Sequence, residues 1–237
     1  MARSFLIIGW TIVITFFLGI AALAVSLTDR TGNSSHKIAG IWARLILLAA
    51  GVGVTVRGRR HIDPERPSIY MSNHQSLFDI PVLLGHLPIQ FRWLAKAELF
   101  RIPIFGQAMH RVGYISIDRS DRKSAFESLA RAADMIRNGV SVLIFPEGTR
   151  SRGHTVRPFK KGGFVLAVDS GVPLTPIITL GTHEIMPKGT LKITPGDVTV
   201  EVRPPMDAGR YSRKTKDRLL DRVRQEIIAA SQGRLKG

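Results

Sequence analysis

The chain has 237 residues, enough for one domain of ordinary size plus an appendage, and 44% of them are apolar, enough for a real core. It contains no cysteine, which excludes disulfides, thiolate nucleophiles, acyl-cysteine intermediates and Cys-type zinc sites. Lys and Arg number 34 against 18 Asp and Glu, a net charge of +16, so the natural partners are nucleic acid, an anionic membrane surface or polyanionic small molecules.

Phe5 to Leu27 is apolar throughout and carries no charge. At 1.5 Å rise per residue it is long enough to cross a hydrocarbon core of about 30 Å. A signal peptide is the rival reading, with Arg3 as its basic region and Ala22-Leu23-Ala24 as a cleavage site. The apolar stretch exceeds the usual h-region of about 7–15 residues, so a retained anchor is expected. A polar turn follows over 28–37, and Ile38 to Val56 is apolar again, interrupted by Arg44, Gly51 and Gly53. An arginine at the bilayer centre costs about 2.5 kcal/mol or more. This segment could therefore lie at the interface with Arg44 snorkelling to headgroups, or be a first helix of the soluble domain, or a helix running into a strand. The expected division is a membrane anchor of two apolar helical segments over 1–56 and a globular domain over 57–237. The anchor carries +3, which leaves +13 on the domain.

From Arg57 onward short apolar runs alternate with longer amphipathic segments. Strands are expected at 68–71, 91–95, 112–117, 140–145 and 172–178, and at 191–194 and 198–202 as a hairpin across a Pro195-Gly196-Asp197 turn. The prolines of Val172-Pro173-Leu174-Thr175-Pro176-Ile177 argue against a central strand and for an edge strand or a wall. Ser120 to Asn138 carries Phe126, Leu129, Ala133 and Ile136 at helical spacing and stops at Gly139. Arg213 to Ala230 is a closing helix with Leu219, Leu220, Val223 and Ile227 on one face. The fold class is α/β, a mixed central sheet with flanking helices behind an N-terminal membrane-associated helical segment.

Three segments carry chemistry. In Asn73-His74-Gln75-Ser76-Leu77-Phe78-Asp79 a histidine precedes an aspartate by five residues, the makings of a base and its orienting carboxylate. On a regular helix the two would lie about 140° apart, so the pair requires a bend, which a strand-to-helix junction supplies. Phe145-Pro146-Glu147-Gly148-Thr149-Arg150-Ser151 is a buried strand running into a turn that presents Arg150, a planar fork suited to phosphate, where open α/β sheets bind ligands. Gly113-Tyr114-Ile115-Ser116-Ile117-Asp118-Arg119 is another strand leading to an arginine, able to converge on the same anion.

Taken in order, NHQSLFD (73–79), KAELFRIPIFG (96–106), GYISIDR (113–119), FPEGTRS (145–151), PFKKGGF (158–164) and VPLTPI (172–177) resemble the glycerolipid acyltransferase family, specifically the 1-acyl-sn-glycerol-3-phosphate acyltransferases. The resemblance covers roughly residues 55–205 and makes the domain over 57–237 an acyltransferase catalytic domain. It implies that His74 takes the proton of the acceptor's 2-hydroxyl as that oxygen attacks a thioester carbonyl, with Asp79 orienting His74. Arg119 and Arg150 would hold the acceptor's phosphate, with Gly148 and Thr149 of the same turn, and with Lys96 as a third cation. Glu147 would orient nearby cations or the acceptor. Ser76 invites a serine-hydrolase reading, yet the chain has no Gly-x-Ser-x-Gly elbow.

The resemblance further implies acyl-CoA or acyl carrier protein as co-substrate, no cofactor and no metal. The expected partners are lysophosphatidic acid, one of those donors and an anionic membrane surface. Nucleic acid is not expected, because zinc-finger spacing, an RNP-like motif and aromatic interleaving of the basic residues are missing. The +13 on the catalytic part places it on the cytoplasmic side of the cell membrane. Rival functions are transfer to glycerol 3-phosphate or another lysolipid, and a non-catalytic module that binds anionic lipid.

Overall fold

The computed structural model describes residues 1–118, 121–153 and 155–233. Two helices open the chain, α1 (Ala2–Val25) and α2 (Asn33–Ala50). Then come β1 (Val52–Arg57), β2 (Ile69–Ser72), α3 (Asp79–His86), β3 (Phe91–Lys96), α4 (Phe105–Val112), β4 (Ile115–Ile117), α5 (Arg122–Arg137) and β5 (Ser141–Ile144). α6 (Gly162–Ser170), β6 (Leu174–Leu180), α7 (Thr182–Ile185), β7 (Gly196–Val202) and α8 (Lys216–Gly233) complete it. The strands form a seven-stranded sheet in the order β1-β7-β6-β2-β5-β3-β4, parallel except where β6 meets β7.

Alternation along the strands makes two cores. Ile69, Met71, Val142 and Ile144 face α5, α6 and α8, whereas Tyr70, Leu143 and Phe145 face α1, α2 and α3. Both faces of the sheet are covered, which explains the near-continuous apolar runs of β2 and β5. On α8 the expected face holds, with Leu219, Val223 and Ile227 fully buried.

Some local expectations hold and others change. Ile38 to Val56 is a helix that runs into a strand: Gly51 turns the chain at φ +66, and β1 then pairs with β7 from Val52 onward. The sheet thus begins at Val52, ahead of the expected boundary at 56. Arg44 is exposed, and its Nε donates to Gly85 O at 2.8 Å, which satisfies a carbonyl in the last turn of α3. Residues 191–194 form no strand, and Gly196 and Asp197 belong to β7 instead of a hairpin turn. β6 lies inside the sheet, not at its edge. Pro176 is tolerated there because it sits opposite Arg203, just past the end of the β6–β7 ladder, where Arg203 N donates to its carbonyl at 3.0 Å and only one bond is forgone. On α5 the buried positions are Ser128, Ala132 and Ile136, and Phe126 is exposed.

Gly58 and Gly139 separate two costs of a positive φ. A Cβ at Gly58 (φ +74) would stand 2.1 Å from Val202 O, whereas one at Gly139 (φ +84) meets nothing within 4 Å. Gly139→Ala is expected to cost about 1–2 kcal/mol from the left-handed backbone alone. Gly58→Ala should cost distinctly more, because strand β7 must also move. Denaturant unfolding of the two variants checks the order.

Candidate active site

The functional segments meet because β2, β5, β3 and β4 are parallel neighbours whose carboxyl ends lie at one edge of the sheet. β2 delivers Asn73 and His74, β5 delivers the turn 145–151, β3 ends at Lys96, and β4 leads to Asp118. Arg119 lies outside the described residues.

Residues 73–78 form the required bend, and Asp79 is the first residue of α3, where the helix dipole favours its charge. His74 Nδ1 meets Asp79 Oδ2 at 2.8 Å. The same oxygen accepts from Gln75 N at 2.7 Å and Ser76 N at 2.9 Å, and Oδ1 accepts from the Thr182 hydroxyl. An oxygen that already takes two N–H donors can only accept from the ring, so Nδ1 carries the proton. Nε2 is left as the basic nitrogen.

The imidazole plane is fixed from the side. Its ring stacks on Phe145 with centroids 4.0 Å apart and planes 10° from parallel, and Trp93 stacks on Phe145 in turn at 5.2 Å. The aromatic face also favours the cation that forms when Nε2 takes a proton. The backbone is clamped as firmly. Asn73 Nδ2 donates to Thr179 O at 2.9 Å and its Oδ1 accepts from Thr179 N at 2.8 Å, while His74 O accepts from Ser151 N at 2.8 Å. With 14% of its side chain exposed, His74 faces a cavity of about 600 Å³.

That cavity joins the expected residues. His74, Lys96, Gly148, Thr149 and Arg150 all line it. Gly148 has φ +70, and a Cβ there would stand 2.8 Å from Lys160 Cε, so glycine serves both the turn and the close approach of that lysine. Lys96 pairs with Glu98 at 2.7 Å in a solvent-exposed bridge, weak enough to be exchanged for another anion. Away from these polar groups the cavity is apolar, walled by Gly19 and Ala22 of α1, Ala39 and Trp42 of α2, and Ala108 and Met109 of α4.

Two neighbouring polar side chains serve the backbone. Glu147 is buried and faces backbone, accepting from His74 N at 2.7 Å and from Arg157 N at 2.9 Å. It clamps the segment around Arg157 to the 73–79 bend. Ser76 is fully buried and donates its hydroxyl to Met186 O at 2.8 Å, in keeping with the missing nucleophile elbow. Among the described residues no group of three or more His, Asp and Glu side chains could hold a metal ion.

The sequence reading also passed over residues the site depends on. Phe145 and Trp93 read as ordinary core positions. Lys160 lay in a quoted motif without a role, and Thr182 lay in none. The α1–α2 wall of the cavity carries no charged residue that would mark it in a sequence.

Residues 53–179 match the sequence model of the family described as Acyltransferase, more than half of the chain. The chain is 32% identical over 221 residues to 1-acyl-sn-glycerol-3-phosphate acyltransferase alpha from Homo sapiens, covering 93% of this chain and 77% of that protein. The chain belongs to the acyltransferase family. This acyltransferase is also similar to a 1-acyl-sn-glycerol-3-phosphate acyltransferase from Chlamydomonas reinhardtii, at 33% identity over 96% of this chain and 69% of the relative. It is 37% identical to a chloroplastic one from Brassica napus, over 86% of this chain but only 58% of that longer protein. The crystal structure of the 1-acyl-sn-glycerophosphate (LPA) acyltransferase PlsC from Thermotoga maritima superposes with a TM-score of 0.82 at 29% identity, covering 100% of this chain and 97% of that one.

Burial pushes the Glu147 carboxyl from an ordinary 4.5 up to about 7, against the pull of the Arg157 and His74 amides, and the Asp79 charge adds to the rise. A raised carboxyl favours the folded state only while it is protonated. That increment is full below about 4.5 and is lost as pH climbs through about 7. Glu147→Gln should remove this pH dependence from thermal melts, and it should also cost about 1–3 kcal/mol because its amide would oppose one of the two N–H donors.

Proposed function

We infer that the acyltransferase moves a fatty acyl group from acyl-CoA or acyl carrier protein to the sn-2 hydroxyl of 1-acyl-sn-glycerol 3-phosphate, giving phosphatidic acid for phospholipid biosynthesis. The observation that carries this reading is one cavity bordered by His74 at its polar end, by Arg150 beside it, and by apolar helix walls beyond.

The chemistry follows from the geometry. Nε2 of His74 takes the proton of the acceptor hydroxyl while that oxygen attacks the thioester carbonyl. Asp79 holds the tautomer and offsets the imidazolium charge. As the tetrahedral intermediate collapses, the C–S bond breaks and His74 returns the proton to the leaving thiolate. Arg150 holds the acceptor's phosphate, with Gly148 and Thr149 in the same turn. Lys96 and Lys160 bring further positive charge, and the Arg119 that follows β4 belongs to the same set. The oxyanion needs donors from this neighbourhood. Gly148 N is already bonded to Phe145 O at 3.0 Å and Ser151 N to His74 O.

The apolar reach of the cavity suits an acyl chain, and its volume is that of an ordinary ligand pocket. The two helices that wall it are the membrane anchor. Among the described residues α1 alone is long and apolar enough to cross a bilayer, and Phe5, Leu6, Ile12 and Phe17 are more than half exposed on it. Yet α1 is tied to α2 along its length and to the domain at its start. Arg3 donates to Ala50 O at 3.0 Å, Ser4 Oγ accepts from Ile193 N at 3.0 Å, Trp42 Nε1 donates to Thr15 at 2.8 Å, and Ser35 donates to Ala22 O at 2.9 Å. A helix lying flat on its own domain is placed to embed in one leaflet, with the cavity at headgroup depth. The protein is membrane-associated in this reading, with the basic catalytic part on the cytoplasmic face of the cell membrane, where its charge attracts both anionic lipid and a polyanionic donor.

Transfer of labelled acyl groups to lysophosphatidic acid, glycerol 3-phosphate and other lysolipids tests the acceptor. Lysophosphatidic acid should be preferred, and His74→Ala should lower the rate by about 10²–10⁴. Labelling restricted to glycerol 3-phosphate would replace this acceptor. Ala39→Phe, which fills part of the apolar wall, should shift preference toward shorter acyl donors in a mixed-donor competition; an unchanged profile would show that the chain lies elsewhere.

A further inference from the structure

Asp79 has no exposed side-chain surface, so each of its oxygens needs donors from the protein. Oδ2 takes three N–H groups: the His74 ring and the amides of Gln75 and Ser76. Among the described residues the donor to Oδ1 is the hydroxyl of Thr182, itself fully buried and absent from the cavity wall. Thr182 lies beyond the matched 53–179 region and outside every motif of the sequence reading.

Its position is set by the fold. Gly181 before it has φ +98, and a Cβ there would stand 2.5 Å from Asp197 O, so only glycine fits the turn off β6. Ile185, one turn later, is buried in the core shared with Phe78 and Val82. Three tethers lock the 179–186 segment to the 73–79 bend: Asn73 to Thr179, Ser76 to Met186 O, and Thr182 to Asp79.

We propose that Thr182 is a positioning residue for acyl transfer, a third member behind His74 and Asp79 whose hydroxyl fixes the carboxylate so that Oδ2 stays on the imidazole. It touches neither substrate nor reacting atoms and acts only through Asp79. Without it, Oδ1 is a buried acceptor with no partner among the described residues, and the carboxylate loses a donor that favours its charged form. The anion is then less well held, and the His74–Asp79 pair takes up a proton at a higher pH. Other titratable groups near this pair are Glu147, which feels the Asp79 charge, and His183 and Glu184 beside Thr182. All three remain in the variants below.

This role rests on the acyl-transfer reading. The test uses the full chain in phospholipid vesicles with acyl-CoA or acyl carrier protein as donor and lysophosphatidic acid as acceptor. Thr182→Val keeps the shape and removes the hydroxyl. It should lower kcat roughly ten- to a hundredfold, the rate equivalent of a hydrogen bond to a charged group. KM for lysophosphatidic acid should stay put, and the acid limb of kcat/KM should move to higher pH. Thr182→Ser, which restores the donor, should recover most of the rate and the original limb. An unchanged kcat in Thr182→Val would overturn the role. So would a serine variant as impaired as the valine one, or a loss of kcat without displacement of the acid limb. Failure of Thr182→Val and Thr182→Ala to fold, beside a folded and fully active Thr182→Ser, would overturn it in favour of a purely structural hydroxyl. A wild-type chain inactive with both donors would overturn the acyl-transfer reading itself, and this role with it.

Discussion

One buried carboxylate organises the site. Asp79 is an anion without solvent, and burial of such a charge is tolerable only when it is fully hydrogen-bonded. Its partners are the amides of its own bend, the His74 ring and Thr182. Meeting that requirement draws the end of β2 into a bend, starts α3, and pulls α7 against both. The need to satisfy a charge and the need to aim a base are met by the same contacts. The histidine is therefore preorganised, and little reorganisation is left for the moment of reaction.

What could be read from the sequence follows from which forces are local. The strand ends carry their signals in neighbouring residues, so Ile69–Ser72 and Ser141–Ile144 were legible as apolar runs broken by Asn73 and Pro146. The His74–Asp79 bend was legible because the spacing fits no regular helix. Partnership in the sheet was not legible. Pro195-Gly196-Asp197 carries every mark of a hairpin turn, but β7 begins inside it because β1 offers a parallel edge from far along the chain. Pro176 argued for an edge, and only the point where the β6–β7 ladder stops makes it harmless in the interior. Glu147 shows the same limit at the site. Its charge pointed to a ligand, yet its partners are two backbone amides brought close by the parallel pairing of β2 with β5.

Under the proposed function the helix pair joins membrane and chemistry through one surface. The faces of α1 and α2 turned inward wall the apolar part of the cavity, and the opposite face of α1 leaves large apolar side chains uncovered. On that reading a lysophospholipid need not leave the leaflet to bring its hydroxyl to His74, because α1 is itself a wall of the pocket. Arg44 fastens α2 to the end of α3, the helix that begins with Asp79. The anchor and the dyad thus share a rigid support.

The central claim is that Nε2 of His74 faces the acceptor hydroxyl while Arg150 holds the same molecule's phosphate. A crystal structure of the His74→Ala protein with lysophosphatidic acid tests it most directly. The account predicts the sn-2 oxygen in the space left by the imidazole, with the phosphate on the guanidinium of Arg150. A phosphate bound away from the 145–151 turn, or an sn-2 oxygen directed away from that space, would contradict it.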